Sequence, residues 1–125
     1  MTVVLFACIH NSGRSVAAQV LARQYGLDAR SAGSEPGAGV NPLVAQVLGE
    51  RGFPVEDHVP TLLTFEGVQE ADVVVTMGCG ETCPVLPGKR YEDWLLDDPK
   101  DQPLDVVRRI VAEIDQRVKA LAASL

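Results

Sequence analysis

Aromatic residues are scarce in this chain of 125 residues, at 5%: one Trp, two Tyr and three Phe. A slot walled by rings is hard to build from so few. An aliphatic core rich in Val, Leu and Ala is implied instead, as in parallel-sheet α/β proteins. Stretches rich in Lys or Arg are also absent, and the formal net charge is −6. That balance argues against nucleic acid and anionic membranes as partners. It disfavours an anionic substrate too, unless a local site overrides the overall field. No apolar run approaches a membrane span, and Val3–Ala7 is too short even for the core of a secretion signal. There is no internal repeat and no low-complexity linker. Cysteine is limited to Cys8, Cys79 and Cys83. Without an export signal these thiols point to the reducing cytoplasm. There, free cysteines serve catalysis, redox exchange or metal binding more often than structural bridges. Inert burial is the alternative for each.

What is present reads as one domain over residues 1–125. A chain of this length buries roughly two-thirds of the surface its unfolded form exposes, so it needs no disulfide or metal staple. Val3–Ala7 predicts a buried strand. A loop follows from Cys8 to Gly13, then a helix over Arg14–Tyr25 with Ala17, Val20, Leu21 and Gln24 on one side. Asp28–Ala32 predicts a second strand ended by Gly33. Ser34–Val40, rich in Gly and Pro, is a surface loop. Asn41 and Pro42 mark a helix start, as cap and first-turn proline. Leu43, Val44, Val47 and Leu48 form its stripe and Gly52 ends it. Thr64 caps a short helix through Gln69, and Ala71–Met77 is a third buried strand. Arg90–Leu96 is a short strand broken by Asp97-Asp98-Pro99. Leu104, Val107, Val111, Ile114, Val118 and Leu121 alternate by three and four, the mark of an amphipathic helix on a sheet. The order of elements predicts an α/β sandwich with a parallel sheet.

The chemistry concentrates in Cys8-Ile9-His10-Asn11-Ser12-Gly13-Arg14-Ser15, between the first strand and the first helix. Open α/β sheets bind ligands at the carboxyl ends of their strands. A helix N-terminus there offers free N–H groups and a favourable dipole to an anion. The five residues between Cys8 and Arg14 are enough for the loop to curl its N–H groups onto one tetrahedral oxyanion. Arg14 adds a forked, permanently charged donor. The field that holds the anion also favours the thiolate of Cys8, so one loop makes both binding site and nucleophile. Ser15 is placed to donate to the Cys8 sulfur, and Asn11 tolerates a left-handed backbone and can pin the loop. His10 reads as shaping the loop or facing solvent rather than as a base.

Displacement at a phosphorus or arsenic centre expels an oxygen that needs a proton, and Asp98, held by Pro99, is the candidate donor. Standing alone, Asp-Asp-Pro is only a turn; beside the Cys8 loop it gains a role. Cys79 and Cys83 follow the third strand, on the sheet edge that carries Cys8. Three readings compete for the pair: a metal site, a redox pair that exchanges with Cys8, or two passive thiols. Structural zinc usually takes four ligands from paired motifs, and only Cys8 and His10 could supplement these two, so no metal is predicted. In the redox reading Gly78 and Gly80 let the loop move.

These residues resemble the low-molecular-weight tyrosine phosphatase superfamily, and within it the arsenate reductases. The resemblance runs the whole chain, through Cys8–Ser15, Ser31-Ala32-Gly33, Asn41-Pro42, Asp72–Met77, Cys79 to Pro84 and Asp98-Pro99. It implies a three-layer sandwich with a four-stranded parallel sheet flanked by helices. It implies that Cys8 attacks arsenate, that Arg14 and the loop amides hold its oxygens, and that Asp98 protonates the departing oxygen. Cys79 would then attack Cys8 and release arsenite, and Cys83 would attack Cys79 and leave a Cys79–Cys83 disulfide for thioredoxin to reduce. No tightly bound cofactor is implied, and phosphate or sulfate would compete as oxyanions. Three departures stand out. Gly13 lies where members often carry an extra cysteine, and the Cys79–Cys83 spacing is short. Gln19 replaces a Glu linked to potassium binding, so that ion is not predicted. Relatives with a similar loop use a low-molecular-weight thiol such as mycothiol, with its mycoredoxin, and need Cys8 alone. A tyrosine phosphatase using Cys8, Arg14 and Asp98 is the rival enzyme, weakened by the missing aromatics. An oxyanion sensor with no need of Asp98 is the rival of another class.

Overall fold

The computed structural model describes residues 2–78 and 85–125. The order of elements is β1 (Val3–Cys8), α1 (Arg14–Arg23), β2 (Asp28–Gly33), α2 (Pro42–Glu50), α3 (Phe65–Glu70), β3 (Val73–Thr76), β4 (Arg90–Asp93) and α4 (Leu104–Ala123). The four strands form one sheet in the order β2-β1-β3-β4, and every neighbouring pair is parallel. The expected parallel α/β sandwich is the observed one.

Alternation along β1 divides the core. Val4, Phe6 and Cys8 join the large cluster that includes Val16, Leu21, Val47, Ile110 and Val118, so α1, α2 and α4 cover this face. Leu5 belongs to a smaller cluster with Val68, Ala71 and Val74, so α3 covers the other. With a side-chain period of two, burial on both faces accounts for the unbroken apolar run of this strand. Helix α4 buries Val107, Ile110, Val111, Ile114, Val118 and Leu121, matching its sequence stripe.

Caps behave as the sequence suggests. Asn41 Oδ1 accepts from the N–H of Leu43 at 2.9 Å and of Val44 at 3.3 Å. Thr64 Oγ1 accepts from Gly67 N–H at 3.0 Å. Several boundaries differ: β3, expected over Ala71–Met77, spans only Val73–Thr76, while β1 and β2 each run one residue further, to Cys8 and Gly33. Helix α1 stops at Arg23, and Gln24 faces outward, donating to Asp115 Oδ1 at 3.0 Å rather than packing inward. Strand β4 ends at Asp93, where its partner β3 ends at Thr76, and the Trp94 ring packs on Phe6 with centroids 5.7 Å apart. The residues that follow reach the carboxyl end of β1, where the Leu96 carbonyl accepts from Arg14 Nη1.

The connection β1–α1–β2 runs to one side of β1, whereas β3 lies on its other side. The order therefore reverses at β1, and the crevice that such a reversal opens lies beyond the carboxyl end of that strand. Cys8 is its last residue.

Phe6 is fully buried at the centre of the large cluster and pairs with Trp94. Phe6→Ala should cost about 3–5 kcal/mol, read as a lower midpoint in denaturant unfolding followed by far-ultraviolet circular dichroism.

Candidate active site

The loop from Cys8 to Arg14 owes its shape to the segment that follows β2. Ser34 N–H donates to the Cys8 carbonyl at 3.1 Å and Glu35 N–H to that of Ile9 at 2.7 Å. Gly37 N–H donates to the His10 carbonyl at 2.9 Å and Asn41 N–H to that of Ser12 at 2.7 Å. Four loop carbonyls are thus satisfied on the outer side. Helix α1 begins at Arg14 with no side-chain cap, so its first N–H groups stay open to a ligand. His10 Nδ1 bonds the Glu35 carbonyl at 2.9 Å, which fixes it as a loop-shaping residue.

Hydrogen-bond directions around the sulfur follow from donor and acceptor inventories. Asn11, at φ 50°, turns its N–H onto Cys8 Sγ at 3.2 Å. Its Oδ1 accepts from Thr61 N–H at 2.9 Å and lies 3.1 Å from His58 Nε2, so His58 must be a donor there. Asn11 Nδ2 donates to Ser15 Oγ at 2.8 Å. The one hydroxyl proton of Ser15 is then free for Cys8 Sγ, 2.9 Å away. The chain runs His58 to Asn11 to Ser15 to Cys8, and the sulfur receives two hydrogen bonds.

Arg14 closes the other side. Its side chain is only 11% exposed. Nη1 donates to the Leu96 carbonyl at 3.2 Å, and Nη2 lies 3.8 Å from Asp98 Oδ2. Asp98 is more open, and its Oδ1 accepts from Lys100 N–H at 3.0 Å. Pro99 packs against Gly13, where an added Cβ would come within 3.0 Å of the ring. The proline that holds Asp98 therefore rests directly on the anion loop.

A cavity of about 590 Å³ opens above, floored by Cys8 and Arg14 and walled by residues 37–43 and 98–102. Among the described residues its lining includes no Phe, Tyr or Trp. Ile9, His10, Ser12 and Gly13 line it, whereas Asn11 and Ser15 are fully buried behind the sulfur. The structure thus gathers Cys8, Arg14, Ser15 and Asp98 at one place. Cys79 and Cys83 lie outside the described residues. Gln19 is buried; its amide, oriented by its partners, donates to Ser31 Oγ and accepts from Arg23 Nη2 at 2.8 Å. The chain's own cation thus faces this side chain.

Sequence reasoning missed His58, Thr61 and the Leu96 carbonyl. A lone His in a loop carries no spacing signal, and a backbone group carries none at all. In the sequence Gly33 reads as the end of the second strand and as part of the resemblance, with no sign of what it makes room for. A Cβ there would lie 2.6 Å from the Ile9 carbonyl oxygen and 2.8 Å from Asn11 N. The position is glycine because the anion loop lies directly upon it.

Three comparisons bear on this geometry. A family model described as low molecular weight phosphotyrosine protein phosphatase matches residues 3–125. An arsenate reductase of Shouchella clausii is 32% identical over 133 aligned residues, covering 96% of this chain and 94% of that protein. A glutaredoxin arsenate reductase of Synechocystis is 30% identical, covering 100% of this chain and 99% of that one. Among solved structures, a thioredoxin-dependent arsenate reductase of Corynebacterium glutamicum superposes with a TM-score of 0.84 and 41% identity. That match covers 99% of this chain but 60% of the other, so the chain spans less than two-thirds of that relative.

Gly33→Ala must displace the loop backbone, and phosphate binding measured by calorimetry should weaken about a hundredfold. Gly49→Ala, with open space around the added carbon, should leave it unchanged. Burial holds the His58 imidazole below its ordinary range, with the Arg23 charge pushing the same way and the bond to Asn11 opposing. The unfolded chain therefore binds this proton more readily than the folded one. Stability from His58 is complete above its unfolded value of about 6.5 and is lost as pH falls toward the depressed folded value. Thermal melting from pH 7 to 5 should fall more steeply for wild type than for His58→Gln.

Proposed function

The chain belongs to the low molecular weight phosphotyrosine protein phosphatase family, and from that membership we propose that it is an arsenate reductase using Cys8 as nucleophile. The observation that carries this reading is the doubly hydrogen-bonded Cys8 sulfur at the base of a loop whose carbonyls are tied outward. The family relation of the Shouchella and Synechocystis reductases supports arsenate as the substrate.

In the proposed reaction the Cys8 thiolate attacks arsenic. One As–O bond breaks and its oxygen leaves as water, protonated by Asp98 from the cavity rim. Arg14 and the loop N–H groups carry the charge of the remaining oxygens. Cys79 then attacks the Cys8 sulfur. The S–As electron pair stays with arsenic, which departs as arsenite in the +3 state, and a Cys8–Cys79 disulfide remains. Cys83 attacks Cys79 and frees Cys8. The Cys79–Cys83 disulfide returns to dithiol with two electrons from thioredoxin or a comparable thiol reductant. The names of relatives, one coupled to thioredoxin and one to glutaredoxin, favour thiol-based supply of this kind. Such chemistry belongs to a reducing compartment, with the cytoplasm the natural one. No helix among the described residues is long and apolar enough to cross a membrane.

Phosphoester hydrolysis shares the first step, so weak activity on an activated aryl phosphate accompanies the proposal. A dedicated tyrosine phosphatase is disfavoured by the absence of Phe, Tyr and Trp from the cavity lining among the described residues.

Arsenate-dependent NADPH consumption with thioredoxin and thioredoxin reductase is the direct test. Wild type should turn over, while Cys8→Ser, Cys79→Ser and Cys83→Ser should each fall to background. Activity of both Cys79→Ser and Cys83→Ser with mycothiol and mycoredoxin would replace the relay by a small-thiol route through Cys8 alone.

A further inference from the structure

Gly78 makes a contact with the site that neither the motif nor the catalytic scheme uses. It follows Met77, whose N–H bonds the Ala7 carbonyl at 2.7 Å and so extends the β1–β3 pairing to the sheet's carboxyl edge. The backbone there takes φ +100°, a region that side chains disfavour. Gly26, Gly52 and Gly88 also take positive φ, but an added Cβ there would meet nothing within 4 Å; Gly78, itself exposed, lies against Arg14. A Cβ on it would lie 3.1 Å from both amino nitrogens of Arg14 and 3.4 Å from its Cζ. The bare Cα of Gly78 is therefore one wall of the slot holding the guanidinium, and the Leu96 carbonyl, accepting from Nη1, is another. Asp98, at 3.8 Å, bounds the same group from the rim.

We propose that Gly78 is a positioning residue for oxyanion binding: having no side chain, it lets the Arg14 fork lie against the end of β3, at the reach and angle from which it holds the anion. The inference rests on the reading of Arg14 as the oxyanion clamp. Both amino nitrogens face Gly78, so a methyl group displaces the fork as a whole rather than one N–H. The fork cannot retreat freely, because Leu96 and Asp98 stand around it and its stem is fixed in the first turn of α1. A shift of a few tenths of an ångström lengthens and misaligns the paired N–H···O bonds, on whose geometry the advantage of arginine over a point charge depends.

A double-mutant cycle separates this role from backbone strain. Inorganic phosphate is titrated calorimetrically into the reduced protein for wild type, Gly78→Ala, Arg14→Lys and the double variant, with thermal melting followed in parallel. In the Arg14 background Gly78→Ala should weaken phosphate binding about tenfold. In the Arg14→Lys background, where no fork meets the methyl, the added loss should stay within about twofold. Gly78→Asn accepts a positive φ better than Ala yet still carries a Cβ, so it should reproduce the loss and keeps the cycle readable if the Ala variant does not fold. Equal losses in both backgrounds would assign the effect to the backbone and overturn the proposal, as would unchanged affinity in Gly78→Ala. Absence of phosphate binding in wild type is a different failure: it would overturn the oxyanion site itself, and the inference with it.

Discussion

Four hydrogen bonds decide what this active site can be. They run from the N–H groups of Ser34, Glu35, Gly37 and Asn41 to the carbonyls of Cys8, Ile9, His10 and Ser12. A peptide unit whose carbonyl is fixed on one side presents its N–H on the other. A loop short enough to curl around a tetrahedral ion would otherwise be free to aim either end of each dipole inward. By satisfying the carbonyls outside, the segment after β2 leaves the interior of the loop to donors. The parallel pairing of β1 with β2, in register from Val3–Asp28 to Cys8–Gly33, delivers that segment. Gly33, without a Cβ, lets the two backbones meet. In the proposed reading a negative ion is accommodated in a chain of net charge −6 through oriented dipoles and one guanidinium.

The sulfur depends on a second layer behind the loop. Asn11 accepts from His58 and Thr61, donates to Ser15, and turns its own N–H onto Cys8. Each bond fixes the direction of the next, so a loop distant in sequence helps to decide which atom the Ser15 proton serves. Arg14, Leu96, Asp98 and Gly78 form the opposing layer, drawn from the ends of β3 and β4 and the start of α1. The reversal of strand order at β1 makes all of these neighbours.

Much of this was legible in the chain. The apolar runs of β1 and β3, the Asn41 and Thr64 caps and the α4 stripe are local signals, each with its own periodicity or capping residue, and together they predict the parallel sandwich. The Cys8–Ser15 loop was legible because nucleophile, cation and helix start fall within eight consecutive residues. What was hidden depends on distant pairing. His58 meets Asn11 across 47 positions, and the Leu96 carbonyl meets Arg14 across 82. Neither has a pattern of its own. The end of β4 depends on distant pairing too: Arg90–Leu96 has strand-like composition, but the ladder stops at Asp93, where its partner β3 ends at Thr76. Gly33 and Gly78 read as ordinary punctuation until the atoms they make room for are known.

The outward-tied loop also bears on how the molecule is kept folded. Its shape exists only once β1 and β2, with the helix between them, have paired in parallel, and such non-local pairing forms late and slowly. An unfolded chain therefore offers an oxyanion nothing to hold. An ion that binds the native loop alone draws the folding equilibrium toward it, by about 2.7 kcal/mol at a hundred times its dissociation constant. In the proposed reading, phosphate held in the loop would by this linkage act as a chaperone for the fold that holds it.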